Sequence, residues 1–421
     1  MIDFTHDRTA ESWVTTANAE YCDFPLQNLP YGRWRASGSQ EPWRAAVAIG
    51  DCLLDLAGAG LTPSHDIASI LELPVDARVA LRRHLFQALH AGSAQVARLT
   101  PHLVPLAQVE LGLPCETRDY TDFYSGIHHA RKVGTLLRPD SPLFPNYKWV
   151  PIGYHSRASS LIASGTSFHR PKGQTKPAHL EVPTLTPSRR LDYELEMGII
   201  IAQGNPLGEP ILIDDAERHI FGLTLLNDWS ARDVQAWEYQ PLGPFLAKNF
   251  ATTLSPWIVT LEALAPFRAP FSRPKGDPAP LAYLDSPSVR TSGLINIALT
   301  VDLLTSRMQE SHSAPHPLSH SNAHDAYWTL SQLVAHHTVN GCNLAPGDLL
   351  GTGTLSGLNP SEAGSLLELS EGGKAPITLS NGETRTFLED GDEVIFRGAC
   401  RREGFRQIGF GECRGRVLPA R

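Results

Sequence analysis

The stretch RRLDYELEMGIII, residues 189–201, constrains the fold more than any other part of the chain. Successive side chains of a β-strand point to opposite faces, so Leu191, Tyr193, Leu195 and Met197 share one face and Asp192, Glu194 and Glu196 the other. The run continues into GIII, which argues for burial rather than an exposed rim. Three stacked carboxylates repel and are costly to desolvate, so their face must look into bulk water or meet a cation. Both readings remain open on this stretch alone.

Two further acids favour the cation. Asp122 lies in DYTDFYSGIHHA among Tyr120, Phe123 and Tyr124, and Asp228 ends the apolar run FGLTLLND. Asp122, Glu194, Glu196 and Asp228 form a hard oxygen-donor set, suited to Ca²⁺, Mg²⁺ or Mn²⁺ rather than to zinc. Taken singly, each acid is weak evidence, because Asp at the end of a strand is commonly a cap or turn former.

A chain of 421 residues can build two or three domains around a substantial core. With 36 Lys plus Arg against 44 Asp plus Glu and no basic run of five, nothing marks a nucleic-acid or anionic-membrane surface. Cys22, Cys52, Cys115, Cys342, Cys400 and Cys413 are scattered without CxxC pairs, as expected for reduced, mostly buried thiols of a cytoplasmic protein. The start MIDFTHDRTAESW lacks a basic region followed by an apolar one. No stretch approaches the roughly 18 apolar residues that span a bilayer, so the expectation is a protein that is neither exported nor inserted in a membrane.

Residues 1–115 read as a self-contained unit of short strands, WRAAVAIGDCLLDLAGAG among them, and one helix, DARVALRRHLFQALHAG. Asp76 is the candidate N-cap of that helix, Leu81, Leu85, Phe86 and Leu89 form one face, and Gly92 ends it. GLPCETRD (112–119) reads as a linker into a larger, mainly β unit. There LINIALTVDLL (294–304) alternates, Asn381-Gly382 lies between two alternating runs as a hairpin turn, and AHDAYWTLSQLVAHHTVNG reads as a helix ending near Asn340-Gly341. The chain has no G-x-S-x-G, H-E-x-x-H, P-loop or EF-hand spacing. GTGTLSG (351–357) lacks the GxGxxG spacing and reads as a turn. The histidines of HSAPHPLSHSNAHD (312–325), interleaved with Pro, Ser and Asn, read as a solvated loop rather than a metal tract.

The blocks DYTDFYSGIHHARKVGTLLR, PIGYHSRASSLIASGTSFHRPKGQ, LDYELEMG, NDWSARDVQAWEYQPLGPFLAKNFATTLSPW, HHTVNGCNLAPGDLLGTGTLSG and GFGECRGRVLP resemble the fumarylacetoacetase family in order and spacing. They span residues 119–418, with weaker similarity before them. The resemblance implies a mainly β protein with some α: an N-terminal small β-barrel-like domain (1–115) and a C-terminal mixed β-roll catalytic domain (119–421), assembled as a homodimer. It further implies metal-dependent hydrolysis of a carbon–carbon bond in 4-fumarylacetoacetate, giving fumarate and acetoacetate in tyrosine and phenylalanine breakdown. A relative sharing only the metal core would be a lyase or isomerase, or a hydrolase of an acylpyruvate or ring-cleavage oxo-acid.

Carried over residue by residue, the family's metal ligands match Asp122, Glu194, Glu196 and Asp228. A second, Mg²⁺ site reuses Asp228 with Lys248 and Thr252, although an ammonium has no lone pair to give a metal. His129 matches the catalytic base, oriented by Glu368; Glu371, three residues on, is the alternative. Arg232, Gln235 and Lys248 match oxyanion donors, and Tyr124, Arg138, Tyr154, Gln235, Tyr239 and Thr354 match contacts to a small diketo-acid substrate. Each also has a structural reading: Arg232 could pair with its neighbour Asp233, and a lone His or Tyr is commonly packed in a core. Gly126-Ile127-His128 before the base and Asn249 after Lys248 depart from the family's pattern, which bears on fine substrate preference.

Overall fold

Every residue of the strands Leu195–Ile201 and Ile220–Asp228 is buried, and the two pair antiparallel from Leu195↔Asn227 to Ile201↔Ile220. The computed structural model describes residues 2–421. Apolar runs of this kind need cover on both faces, and the two strands occupy the middle of a 13-stranded mixed sheet. On one side Leu349–Gly351 pairs with Leu195–Ile201 and runs parallel to Tyr120–Phe123, which Gly153–His155 then joins. On the other, Trp257–Thr260 links Ile220–Asp228 to the N-terminal strands Tyr31–Ala36, Arg44–Ile49, Cys52–Asp55 and Leu103–Pro105. The N-terminal strands thus extend the sheet of the larger part, through the pair Tyr31↔Ile258.

The protein is mainly β with short helices, and the face split expected of 191–201 holds. Leu191, Tyr193, Leu195, Met197, Ile199 and Ile201 enter the main core with Leu299, Val301, Val394 and Phe396. Ile200 points the other way, into a core shared with Val47, Ile49, Leu85 and Phe86. Strand Ala298–Leu304 alternates in burial as its sequence does, in a five-stranded sheet with His316–Asn322, Glu393–Cys400, Ile408–Leu418 and Ser167–His169.

Several local expectations change. The N-terminal helix is Val75–Leu89: Asp76 lies inside its first turn, and Pro74 takes the N-cap position without a side-chain bond. Its buried face includes Arg78 and Arg82. Arg82 donates to the carbonyls of Gln27 (2.5 Å) and Asn28 (2.8 Å), and Arg78 to that of Ile220 (3.0 Å), so these cations serve buried carbonyls of a loop and of a strand end. The His-rich tract is largely an edge strand, His316–Asn322, rather than a loop. Its inward residues Ser319 and Ser321 are polar, which hid the alternation. The later helix is only Leu330–Thr338, opened by a Thr329–Gln332 capping box after the buried Tyr327 and Trp328. Gly382 does turn a hairpin at φ 84°, between Ile377–Thr378 and Thr384–Arg385, but Glu393–Cys400 pairs elsewhere. All six cysteines are free, and half of them, Cys115, Cys400 and Cys413, are buried.

Candidate active site and metal centre

The ends of the central strands converge on a buried carboxylate centre. Gly351 lies opposite both Gly198 and Asp122, and Asp228 opposite Thr252. Asp122, Glu196 and Asp228 bring one carboxylate oxygen each to within 4.8 Å of one another, and all three residues are buried. Gly351 makes this possible, because a Cβ there would overlap Asp122 Oδ1 and come to 3.1 Å from Glu196 Oε2. The turn GTGTLSG has a part here as well: the Gly353 N–H donates to Glu196 Oε2 (2.9 Å).

Crowding of like charges sets the electrostatics. Burial and then the Asp228 charge push the Asp122 pKa well up. Burial, Asp122 and Asp228 do the same to Glu196. For Asp228, burial outweighs the opposing Lys248 ammonium, and its pKa is raised. Asp122 Oδ1 and Glu196 Oε1 are buried and accept no hydrogen bond among the described residues. Three hard carboxyl oxygens crowded together, whose ionised form a positive charge between them would stabilise, fit a divalent cation of the Ca²⁺, Mg²⁺ or Mn²⁺ class.

Glu194, the fourth acid expected there, is engaged differently. It accepts from Arg232 Nη1 (2.6 Å) and from the Lys248 ammonium. Burial would raise its pKa, but Lys248, Arg232 and His129 together hold it far below the usual range. Lys248 also donates to Asp228 Oδ2 (2.7 Å), and Thr252 to Asp228 Oδ1 (3.0 Å). The Lys248 ammonium and Thr252 hydroxyl therefore brace Asp228. Arg232 does not pair with Asp233; its Nε binds Asp192 (2.9 Å) and its Nη1 also reaches Gln235 (3.2 Å), while Nη2 is buried without a partner. Acids and cations alternate along the chain Asp192–Arg232–Glu194–Lys248–Asp228. Burial alone would depress the Arg232 and Lys248 pKa values, yet the flanking carboxylates raise both, so both remain charged.

His129 is buried on the helix Ile127–Leu137, and its Nδ1 lies 2.6 Å from Glu368 Oε2. A carboxylate only accepts, so Nδ1 carries the proton and Nε2 is left as the basic nitrogen. Ser356 and Ser365 donate to the same oxygen (2.9 and 2.8 Å). Burial pushes the Glu368 pKa up, but His129 and these hydroxyls outweigh it and keep the group ionised. Glu371 is exposed at φ 49° in the following turn, so Glu368 is the partner of His129. Nε2 of His129 is 3.9 Å from Glu194, which ties the base to the carboxylate cluster.

Tyr124 stands edge-on to His129 (5.7 Å between ring centres), Tyr154 donates to Asp228 Oδ2 (3.0 Å), and Thr354 is buried with its hydroxyl unpartnered. Arg138, stacked on Phe144 at 4.1 Å, and the exposed Tyr239 lie outside this bonded network. Sequence reasoning passed over Ser356, Ser365 and Gly351; only the density of small residues in GTGTLSG hinted at Gly351 and Ser356, and nothing marked Ser365.

Comparison with known proteins shows the family of the chain. The family pattern described as "Fumarylacetoacetate (FAA) hydrolase C-terminal" matches residues 120–418, and "Fumarylacetoacetase N-terminal" matches 27–114. The chain is 47% identical to a fumarylacetoacetase of Oryza sativa subsp. japonica, over 94% of this chain and 95% of that protein. It is 46% identical to one of Homo sapiens, over 96% and 98%. A solved fumarylacetoacetate hydrolase from psychrophilic Exiguobacterium antarcticum matches with a TM-score of 0.51 at 15% identity, over 93% of this chain and 100% of that one, a likeness of fold.

Proposed function

The chain belongs to the fumarylacetoacetate hydrolase family, and from that premise we propose that it hydrolyses 4-fumarylacetoacetate to fumarate and acetoacetate through the residues gathered around His129. The observation that carries this reading is the pairing of a buried His129–Glu368 dyad with a carboxylate centre built for a cation.

His129, held by Glu368 through Nδ1, takes a proton from water at Nε2 and delivers a hydroxide equivalent to the substrate carbonyl. The tetrahedral oxyanion needs fixed donors. Arg232, whose Nη2 is buried and unpartnered, Lys248 and Gln235 supply them. Asp122, Glu196 and Asp228, with Glu194 beside them, hold a divalent cation, which when bound polarises the diketone oxygens as a Lewis acid. Tyr124, Tyr154, Tyr239 and Thr354 contact the substrate, and Arg138 pairs with a terminal carboxylate.

The reading also places the enzyme in tyrosine and phenylalanine breakdown, as a cytoplasmic homodimer. Six free cysteines suit a reducing compartment, and among the described residues no helix is long and apolar enough to cross a membrane. The test is turnover of fumarylacetoacetate with products identified, before and after chelation and with Ca²⁺, Mg²⁺ or Mn²⁺ restored. Fumarate and acetoacetate that vanish on chelation and return with one metal are expected; survival of the diketone under every metal would overturn the reading.

A further inference from the structure

The fully buried Asp192 accepts four hydrogen bonds, every one from an N–H. At Oδ1 these come from the amides of Tyr193 (2.9 Å) and Leu366 (2.7 Å); at Oδ2 they come from Arg232 Nε (2.9 Å) and the amide of Leu367 (3.0 Å). Leu366 and Leu367 open the four-residue helix Leu366–Leu369, which carries Glu368. A helix this short has no stability of its own, so its place is set by its anchors: the Ser365 cap and the Asp192 carboxylate. The strand Leu191–Asp192 also pairs with Ser230–Ala231, the two residues immediately before Arg232.

We infer that Asp192 is a positioning residue that sets the two working halves of the site against each other: the Arg232 guanidinium on one side, and the Glu368–His129 dyad, through the first turn of its helix, on the other. The inference rests on the roles proposed above for those residues. Both oxygens of Asp192 are saturated with donors, and charge-assisted bonds of this kind are short and directional. Shifting either anchor moves a group whose geometry must hold to within about half an ångström.

Asp192→Asn tests it. The amide is isosteric, but its NH₂ must face N–H donors whichever way it turns. A loss in kcat of about 10- to 100-fold is expected, the usual cost of removing a supporting group, with KM little changed. In double-mutant cycles with Glu368→Gln and with Arg232→Met, the combined losses should fall well short of the product of the single ones. The low-field proton resonance of His129 Nδ1–H, identified by its loss in His129→Ala, should shift in Asp192→Asn. Leu366→Pro, which deletes one donor at a first-turn position after the extended Ser365, should shift that resonance too and keeps the test alive if Asp192→Asn does not fold. Multiplicative losses with an unmoved resonance would overturn the inference and leave Asp192 a structural ion pair. If the parent enzyme does not cleave fumarylacetoacetate, the proposed function fails instead, and the resonance still decides whether Asp192 governs the dyad.

Discussion

Replacing Glu196 by Gln should stabilise the chelated protein and destabilise the metal-loaded one. At the 4.8 Å limit separating the carboxylate oxygens of Asp122, Glu196 and Asp228, two unit charges repel by about 3.5 kcal/mol at an effective dielectric constant of 20. Proton uptake caps that penalty: carrying a carboxyl from its ordinary pKa of 4.5 to pH 7 in the protonated form costs about 3.4 kcal/mol. Both routes give about 3 kcal/mol. The sign follows from the direction of the shift. Burial, Asp122 and Asp228 raise the Glu196 pKa in the folded protein, so the fold binds more protons than the unfolded chain and loses stability as pH rises above 4.5. The neutral amide of Glu196→Gln escapes that loss and can still accept from the Gly353 N–H. With an unfolding entropy of roughly 2 cal/mol/K per residue over 421 residues, 3 kcal/mol corresponds to a Tm gain of about 3.5 °C. Thermal unfolding of parent and Glu196→Gln, in chelator at pH 5 and 7.5 and again with saturating divalent metal, measures it. The gain should appear in chelator at pH 7.5, shrink at pH 5 and reverse with metal. A loss of equal size in chelator and in metal at pH 7.5 would refute the reasoning, because Glu196 would then be a favourable buried acid rather than one held under repulsion.

Glu368→Gln should lower kcat about 10- to 100-fold, since a hydrogen bond to a charged group is worth about 1.5–3 kcal/mol, while the exposed Glu371→Gln leaves steady-state kinetics unchanged. Arg232→Met should cost about 10²–10³ in kcat as the loss of an oxyanion donor. It also removes the guanidinium that Asp192 and Glu194 share, so unfolding measured alongside should show destabilisation of about 3–5 kcal/mol, as for a broken buried ion pair. His129→Ala should abolish turnover yet bind the divalent cation with affinity close to the parent's in a calorimetric titration, because His129 donates to Glu368 and lies outside the carboxylate triad.

What could be read from the chain was set by local periodicity. The strict alternation of 191–197 assigned the apolar residues to the core and the acids to one opposite face, and packing bears both out. Local pattern failed where a polar residue faces inward. Arg78 and Arg82 on the N-terminal helix, and Ser321 on the edge strand, find buried carbonyls that hydropathy does not register, and Ser319 is buried on that same strand. The pairing of His129 with Glu368 rather than Glu371 was also beyond local reading, because the helix ends between them and the left-handed turn that follows leaves Glu371 in water.

The order of residues alone placed three acids on one strand face and left that face either to water or to a cation, with Asp122 and Asp228 favouring the cation. Which cation each acid meets was left to packing in three dimensions. Asp192 takes Arg232 and the amides of a helix 174 residues away, Glu194 takes Arg232 and Lys248, and Glu196 joins Asp122 and Asp228 as the candidate metal centre. The difference is one of range. Alternation of side chains is fixed by the backbone geometry of neighbouring residues, whereas the neutralisation of buried charge depends on groups within a few ångströms in space that the strand pairing of distant segments brings there.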